Sequence, residues 1–357
     1  MKFYAEESKV TISGRTIFRD NIRYLGYSAS SIRFTFTGKS ASASFLSDPE
    51  NFPPEHHAWI AVYVNDEAEP SKRLELKEQK QELSLYEAKE EATVTITIMK
   101  YSEPEYAVCG IESISIDSDQ LMEPPAPLKR KMQIIGDSIT CGYGVEGSID
   151  DLIHNTATEN PTKSYSVRTA KALQADFEIV AWNGKGVITS YIGDDANTPD
   201  DSWLVPMLYQ YTDAGCCHQY FHEDKADWEK WDHSRFVPDL ITVYLGTNDA
   251  SYTREIPERN QQFHDAYVAF LEEIHTIHPN AKIICMLGTM NPRLCPTVEK
   301  VVHTFSTLHP EAEISYLQLP NQSEEDGLGT FWHPSALTQK KASELVIQRA
   351  KEVMGWD

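Results

Sequence analysis

The pattern of hydrophobic and polar positions divides the chain into two parts with different periods. In the first part, apolar side chains alternate with polar ones, as Ile32, Phe34 and Phe36 do. Such runs are 31–37, 60–64, 94–98 and, less strictly, 111–116. Period-two alternation is typical of half-buried strands, and the pair Asn65–Asp66 predicts a turn between two of them. Since no amphipathic helix is evident before residue 120, we predict an all-β sandwich or jelly roll over residues 1–124.

After a proline-rich segment the spacing of the hydrophobic residues changes. Residues 119–131 read DQLMEPPAPLKRK, which indicates an extended linker and a domain boundary near residues 124–128. Short apolar runs then alternate with amphipathic stretches. The predicted strands are 132–135, 177–182, 240–245, 282–287 and 314–319, and the predicted helices are 164–174, 259–278, 297–308 and 335–354. This alternation predicts a three-layer α/β/α domain with a parallel sheet over residues 125–357.

Three short motifs follow predicted strands or precede a predicted helix. Residues 135–140 read IGDSIT, 246–249 read GTND and 331–335 read FWHPS. Parallel sheets bind ligands at the carboxyl ends of their strands, so we expect Ser138, Asn248 and His333 to converge. A histidine is the usual base for a serine nucleophile, and an amide can stabilise an oxyanion. Alone, each motif is more often structural, the first two as a turn or helix cap and the third as a structural or solvent-facing histidine, but the combination favours a serine hydrolase.

These blocks resemble those of the SGNH, or GDSL-like, hydrolases. In that superfamily a glycine of a second block completes the oxyanion hole. Here that block is WNGKG at 182–186, and Gly186 is preferred over Gly184. The resemblance implies that Ser138 is the nucleophile, that His333 is the base, and that Asn248 joins the N–H groups of Ser138 and Gly186 around the oxyanion.

A narrower resemblance covers nearly the whole chain. The segments GDSITCGYG at 136–144, WDHSR at 231–235 and WHP at 332–334 are similar to carbohydrate esterase family 2. That family joins a jelly roll to an SGNH domain and removes acetyl groups from xylan and glucomannan. The resemblance therefore implies an acetyl xylan esterase-like enzyme, a carboxylic ester hydrolase that needs no metal or other cofactor.

One position departs from the common SGNH pattern. Many members have an aspartate shortly before the catalytic histidine, where this chain has Thr330 and Phe331. We therefore predict a Ser138–His333 dyad in which a backbone carbonyl orients the imidazole, as the resemblance to dyad members implies. Asp326, seven residues upstream, is kept as an alternative third member.

Other candidate residues have equally plausible structural roles. The segment 187–236 is long, irregular and rich in aromatic residues, which is typical of functional loops. Four aromatic residues, which could stack on a sugar or simply pack, are Trp182, Tyr191, Trp203 and Trp332. We interpret Asp137, Cys141 and two histidine pairs as structural or surface residues. The two pairs are His56–His57 and His218–His222.

Composition restricts the partners. The 357 residues carry a formal charge of −22, which disfavours nucleic acids and anionic membranes. The chain has no run of about 18 apolar residues, so no membrane span is expected. Without a visible signal segment, and with six scattered cysteines interpreted as free thiols, a cytoplasmic location is expected. The expected partner is an acetylated carbohydrate, and self-association into a homo-oligomer is left open.

Two other functions remain compatible with the sequence. One is an SGNH esterase or lipase that acts on small or lipid esters, which would need a larger apolar acyl pocket. The other is a carbohydrate-binding protein whose hydrolase domain is inactive. The presence of Ser138, Asn248 and His333 together argues against the second, because a binding protein needs none of the three.

Overall fold

The structure is a computed structural model, and it describes residues 1–65 and 67–357. The predicted turn at Asn65–Asp66 therefore includes one residue that lies outside the described residues. The chain forms two compact units. The first comprises residues 1–127, 154–159 and 211–230, and the second comprises 128–153, 160–210 and 231–357. The sequence-based boundary at 124–125 therefore misses two later segments that belong to the first unit.

The first unit is built on an antiparallel sheet. Its strands are β1 (Lys2–Phe3), β2 (Thr11–Ser13), β3 (Thr16–Arg19), β4 (Ile22–Leu25), β5 (Ser31–Leu46), β6 (Ala58–Val64), β7 (Lys72–Leu76), β8 (Lys80–Lys100) and β9 (Cys109–Ile116). The main order is β3-β4-β9-β5-β8-β6-β7, with β1 paired to β9 and β2 to β5. The prediction of an all-β domain is confirmed, and the hydrogen-bonded ladder is continuous across all nine strands.

Strand β5 shows how the alternation creates this core. Its apolar side chains Ile32, Phe34 and Phe36 are fully buried. The strand continues well past the predicted end at residue 37, because the alternation persists in small residues and Ala41 and Ala43 are also buried. Alanine adds little to a hydrophobic pattern, so the extension is hard to detect from sequence.

The two later segments join the first unit through buried polar contacts. Arg15 donates to the carbonyl oxygen of Tyr211 at 2.9 Å. The N–H of Glu103 donates to the carboxylate of Glu159 at 2.8 Å, and that carboxylate also lies 2.9 Å from His154 Nε2. Such contacts between residues far apart in sequence have no periodic signature, which explains why the sequence did not predict them.

The second unit is a parallel sheet with helices. Its strands are β10 (Arg130–Gly136), β11 (Ala175–Ala181), β12 (Leu240–Tyr244), β13 (Lys282–Thr289) and β14 (Ile314–Asn321). Its helices are α1 (Ser138–Cys141), α2 (Tyr165–Ala172), α3 (Val205–Leu208), α4 (Ala250–Thr253), α5 (Pro257–Ile277), α6 (Cys295–Leu308) and α7 (Ala336–Met354). Helix α2 packs against α7, and α5 against α6. The predicted α/β/α fold is confirmed.

The strand order places the predicted motifs together. The sheet runs β11-β10-β12-β13-β14, so β10 lies between β11 and β12. Ser138 follows β10, residues 182–186 follow β11, and residues 246–249 follow β12. Parallel strands end at a common edge, and three adjacent strands therefore deliver three motifs to one place. No helix within the described ranges has the length and apolar character needed to cross a lipid bilayer.

Candidate active site

Ser138 begins a short helix directly after a buried strand. Strand β10 ends at Gly136, where a Cβ would lie only 1.9 Å from Thr140 Oγ1, so the close turn requires glycine. Asp137 caps α1 by accepting from the N–H of Ile139 at 3.0 Å. Asp137 thus has the structural role predicted for it, and its cap fixes the backbone that carries the Ser138 hydroxyl.

His333 contacts that hydroxyl. Its Nε2 lies 2.9 Å from Ser138 Oγ, and its Nδ1 lies 3.0 Å from the carbonyl oxygen of Thr330. With its hydrogen on Nδ1, the ring donates to this carbonyl and leaves Nε2 to accept from Ser138. The ring of Tyr143, which lies in the segment 136–144 but was given no role from the sequence, is 4.3 Å away between centroids and limits the movement of the imidazole.

The Thr330 carbonyl is itself held in place. The N–H of Thr330 donates to Gly144 O at 3.1 Å, and its hydroxyl donates to the Asp151 carboxylate at 2.6 Å. Between Thr330 and the histidine, Phe331 and Trp332 adopt φ values of 52° and 65°. A left-handed backbone conformation at two consecutive aromatic residues is energetically unfavourable, and the surrounding hydrogen bonds must offset this strain. Sequence reasoning missed Gly144 and Asp151 because neither is near the histidine in sequence.

Two candidate residues, for which the sequence left alternatives open, make structural contacts. Both carboxylate oxygens of Asp326 accept from Lys341 Nζ at 2.7 Å, so this carboxylate forms an ion pair with α7 and does not orient His333. Trp182 is only 3% exposed, and its ring packs against that of Trp203 with centroids 5.3 Å apart. A buried indole cannot present a face to a sugar, so Trp182 belongs to the core.

The blocks that carry Gly186 and Asn248 are tied to each other. The side-chain amide of Asn248 donates to Lys185 O at 2.9 Å. The neighbouring Asp249 carboxylate accepts from the N–H groups of Val187 and Ile188 at 2.9 and 2.8 Å. A Cβ on Gly186 would lie 2.5 Å from that carboxylate. Gly186 is therefore required by close packing.

The two backbone donors expected at the oxyanion are not used by the backbone of the described part of the chain. Among the described residues, the N–H groups of Ser138 and Gly186 donate to no backbone acceptor. Gly184, the alternative oxyanion glycine, has φ 71°, and a Cβ added there would meet no atom within 4 Å, which is typical of a turn glycine. The N–H of Gly184 likewise donates to no backbone acceptor among the described residues, so the choice of Gly186 over Gly184 stays a prediction.

The family follows from this arrangement and from the chain's relatives. The sequence model of the GDSL-like lipase/acylhydrolase family matches residues 134–341, more than half of the chain. The chain belongs to this family. The matched range includes Ser138, Gly186, Asn248 and His333. A second sequence model, described as carbohydrate esterase 2 N-terminal, matches residues 12–125.

Relatives of this hydrolase include two curated bacterial enzymes. The cellulase/esterase CelE of Acetivibrio thermocellus is 26% identical over 352 residues, covering 97% of this chain, which spans 40% of CelE. An acetylxylan esterase / glucomannan deacetylase of Cellvibrio japonicus is 26% identical over 357 residues, covering 99% of this chain and 91% of that enzyme. The resemblance to carbohydrate esterase family 2 is confirmed, as is the assignment to the carboxylic ester hydrolases.

Two solved structures have folds similar to that of this hydrolase along nearly its whole length. A family two carbohydrate esterase from Clostridium thermocellum in complex with cellohexaose has a TM-score of 0.83 and 26% identity, covering 98% of this chain and 100% of that one. An acetyl xylan esterase from Butyrivibrio proteoclasticus has a TM-score of 0.87 at 22% identity, covering 100% and 99%. The second comparison shows a shared fold.

The remaining candidate residues of the hydrolase differ in exposure. Tyr191 is 63% exposed and Trp332 58% exposed, so both rings are accessible to a ligand, while Trp203 is half-buried. His218 and His222 are exposed, whereas His57 Nδ1 lies 2.9 Å from Glu75. All six cysteines are buried free thiols, including Cys141, as the sequence predicted.

Two buried carboxylates lie beneath the site. Burial raises the pKa of Asp137 to about 7, and the nearby Asp249 carboxylate acts in the same direction, although the N–H of Ile139 opposes the shift. Burial also raises the pKa of Asp249 to about 6, despite the three backbone N–H groups that donate to it. The hydrolase thus contains two buried acids with raised pKa values, one of which, Asp137, directly precedes Ser138.

These raised pKa values predict a pH-dependent stability. A carboxyl whose folded pKa exceeds its unfolded value of about 3.9 stabilises the fold below that value and loses this contribution as pH rises through the folded pKa. The free energy of unfolding should therefore fall between pH 4 and pH 7. Asp137→Asn keeps an acceptor for Ile139 and should remove roughly 2–4 kcal/mol of this dependence, measured by urea unfolding.

A surface substitution provides the matched control. Asp195 is exposed, and Asp195→Asn makes the same chemical change away from Asp137. It should leave the pH dependence of the unfolding free energy as in the wild type. Equal pH dependence in Asp137→Asn and the wild type would contradict the assigned effect of burial.

Proposed function

We propose that this chain removes O-acetyl groups from plant polysaccharides or their oligosaccharides, such as xylan and glucomannan, through an acetyl-enzyme on a Ser138–His333 dyad. The observation that carries the proposal is the 2.9 Å contact between Ser138 Oγ and His333 Nε2. Relatives named as acetylxylan esterase / glucomannan deacetylase support the substrate class. Accessible Tyr191 and Trp332 are suited to stacking on sugar rings.

The acylation step uses the dyad as nucleophile and base. His333 Nε2 takes the hydroxyl proton while Ser138 Oγ attacks the acetyl carbonyl carbon. The resulting imidazolium is stabilised by donation from Nδ1 to the Thr330 carbonyl oxygen, 3.0 Å away. This dipole interacts with the imidazolium more weakly than a carboxylate would, but it fixes the same tautomer. Return of the proton to the departing sugar oxygen leaves the acetyl group on Ser138.

The deacylation step uses the same base, with water in place of the Ser138 hydroxyl as the attacking group. His333 accepts a proton from water, whose oxygen attacks the acetyl carbonyl, and then returns the proton to Ser138 Oγ as acetate leaves. In both steps the N–H groups of Ser138 and Gly186 and the second amide hydrogen of Asn248 stabilise the oxyanion. Because the first amide hydrogen of Asn248 is bonded to Lys185 O, the second has a fixed direction.

Replacing Asn248 by alanine tests this oxyanion role. Loss of one such donor costs about 2.7–4 kcal/mol of transition-state stabilisation, so kcat should fall by about 10²–10³-fold with little change in KM. Steady-state release of acetate from an acetylated oligosaccharide measures both constants. Asn321→Ala, which changes an exposed asparagine at the end of β14, should retain wild-type kcat. A kcat for Asn248→Ala within threefold of the wild type would exclude a role in the oxyanion hole.

Substrate class is tested by varying the alcohol and the acyl group separately. We expect acetylated xylo- and manno-oligosaccharides to lose acetyl groups, as followed by NMR. Chromogenic acetate should be hydrolysed much faster than butyrate or longer esters. If longer acyl esters react faster than acetate, the enzyme is an esterase or lipase of another specificity. If chromogenic acetate reacts and neither oligosaccharide does, the serine chemistry is supported and the carbohydrate assignment is wrong.

A further inference from the structure

A cavity of about 290 Å³ lies beside the proposed oxyanion residue. Its lining residues are Tyr191, Asp194, Thr247, Ser251, Arg254, Asn291 and Arg293. Thr247 is the neighbour of Asn248, and Ser251 Oγ donates to Asn248 O at 2.7 Å. The N–H of Ile192 in turn donates to Ser251 Oγ at 3.0 Å, which attaches the Tyr191 segment to the same place. The cavity is therefore continuous with the loop that presents Asn248.

Arg254 supplies this cavity with a fixed positive charge. Its Nε donates to Ser251 O at 2.8 Å, and its Nη2 donates to the carbonyl oxygens of Ala196 and Gly193 at 2.6 and 3.1 Å. Carbonyl groups orient a guanidinium without neutralising its charge. The charge is thus held in one position, at a residue that itself adopts φ 46°.

Arg293 supplies a second positive charge that is free to reorient. It is exposed, and its guanidinium makes one contact, from Nε to Asn291 Oδ1 at 3.3 Å. In the described ranges 1–65 and 67–357, neither Arg254 nor Arg293 has a carboxylate within 4.0 Å, including that of Asp194. The lining carries two arginines and one aspartate, a net charge of +1, in a chain whose formal charge is −22.

We propose that this cavity is a subsite for a carboxylate-bearing sugar, such as a uronic acid unit, next to the acetylated residue of the substrate; this inference rests on the proposed function. A guanidinium can bind a carboxylate through two parallel hydrogen bonds, and Arg293 has the free N–H groups to do so. The exposed ring of Tyr191 can contact the sugar ring. The volume is near the lower limit of ligand pockets and suits a single sugar unit.

The net negative charge of the chain explains why an acidic sugar unit would need a positively charged subsite. The strongly negative chain repels an anionic substrate at long range, whereas a neutral sugar needs no cation. The two arginines of the lining outweigh its one aspartate, so they attract a carboxylate locally, within the Debye length of about 8 Å at physiological salt. The inference is therefore that acetyl groups are removed faster from chain positions that lie beside an acidic sugar.

A matched pair of substrates tests the subsite. One is an O-acetylated xylo-oligosaccharide with a glucuronic acid branch, and the other is the same molecule after reduction of the carboxyl group to an alcohol. We expect kcat/KM to be about tenfold higher for the acidic substrate, and the preference to shrink as salt is raised to about 0.5 M. Arg293→Gln should reduce the preference to about twofold. Lys300→Gln, the same loss of charge at an exposed position of α6, should keep it.

Binding of the corresponding non-acetylated pair separates the two proposals. Calorimetry with the wild-type protein should give about tenfold tighter binding of the acidic oligosaccharide than of its reduced form. Equal binding of the two, or an undiminished preference in Arg293→Gln, overturns the subsite and leaves the proposed deacetylation intact. If the acidic oligosaccharide binds more tightly but neither acetylated form releases acetate, the proposed function fails and the carboxylate subsite is supported.

Discussion

Replacing Ser138 by alanine is expected to reduce kcat for acetate release by about 10⁴–10⁶-fold. In the proposed mechanism the Ser138 hydroxyl forms the covalent bond to the acetyl carbon, and Ser138→Ala removes this hydroxyl, which lies 2.9 Å from His333 Nε2. Acetate release is measured under saturating substrate. Mass spectrometry of acid-quenched enzyme should show one added acetyl group on the wild type and none on the variant.

A buried serine elsewhere provides the control for this substitution. Ser343 lies on α7, is 3% exposed, and donates to Lys340 O. Ser343→Ala should keep kcat within about twofold of the wild type, with only a small change in the unfolding free energy. Undiminished turnover in Ser138→Ala, with circular dichroism like that of the wild type, would remove Ser138 from the mechanism.

The site residues that the sequence predicted share one property. Ser138 and Asn248 each lie within a few residues after a strand whose apolar run is recognisable on its own, and His333 lies shortly before α7. Local patterns place such residues at the edge of a parallel sheet, and the edge then brings them together. Their convergence is therefore largely determined by strand and helix positions.

The residues that the sequence did not predict depend on contacts across the fold. The Thr330 carbonyl is positioned by Gly144 and Asp151, which lie far from it along the chain. Nothing in the residues around Thr330 identifies these partners, because hydrogen bonds of this type need one favourable geometry and no repeated pattern. Asp326 shows that closeness in sequence is not sufficient either. It lies seven residues before His333, but its carboxylate accepts a hydrogen bond from Lys341.

In the proposed dyad, the group that orients the histidine can be distinguished from the group that would supply negative charge. In a triad a carboxylate both orients the histidine and stabilises the imidazolium electrostatically. Here Nδ1 contacts a neutral carbonyl, that of Thr330, and the Asp151 carboxylate accepts from the hydroxyl of the same threonine. Orientation is thus supplied by direct contact, and negative charge only through an intervening residue.

Replacing His333 by alanine should lower kcat by about the same 10⁴–10⁶-fold as replacing Ser138, because a serine hydroxyl without a base is almost entirely protonated. The two residues act as one unit, so the double variant Ser138→Ala/His333→Ala should be no slower than either single variant, and its effect far from additive. The pH dependence of kcat/KM that reflects the base should disappear in His333→Ala, and added imidazole should restore part of the activity.

The control for this substitution is His303→Ala, at an exposed position of α6. It should leave both kcat and the pH profile as in the wild type. Three results would each refute the dyad: His333→Ala retaining kcat within tenfold, an unchanged pH profile in that variant, or additive losses in the double variant. Additivity in particular would mean that Ser138 and His333 act on different steps, and the 2.9 Å contact between them would then have no catalytic meaning.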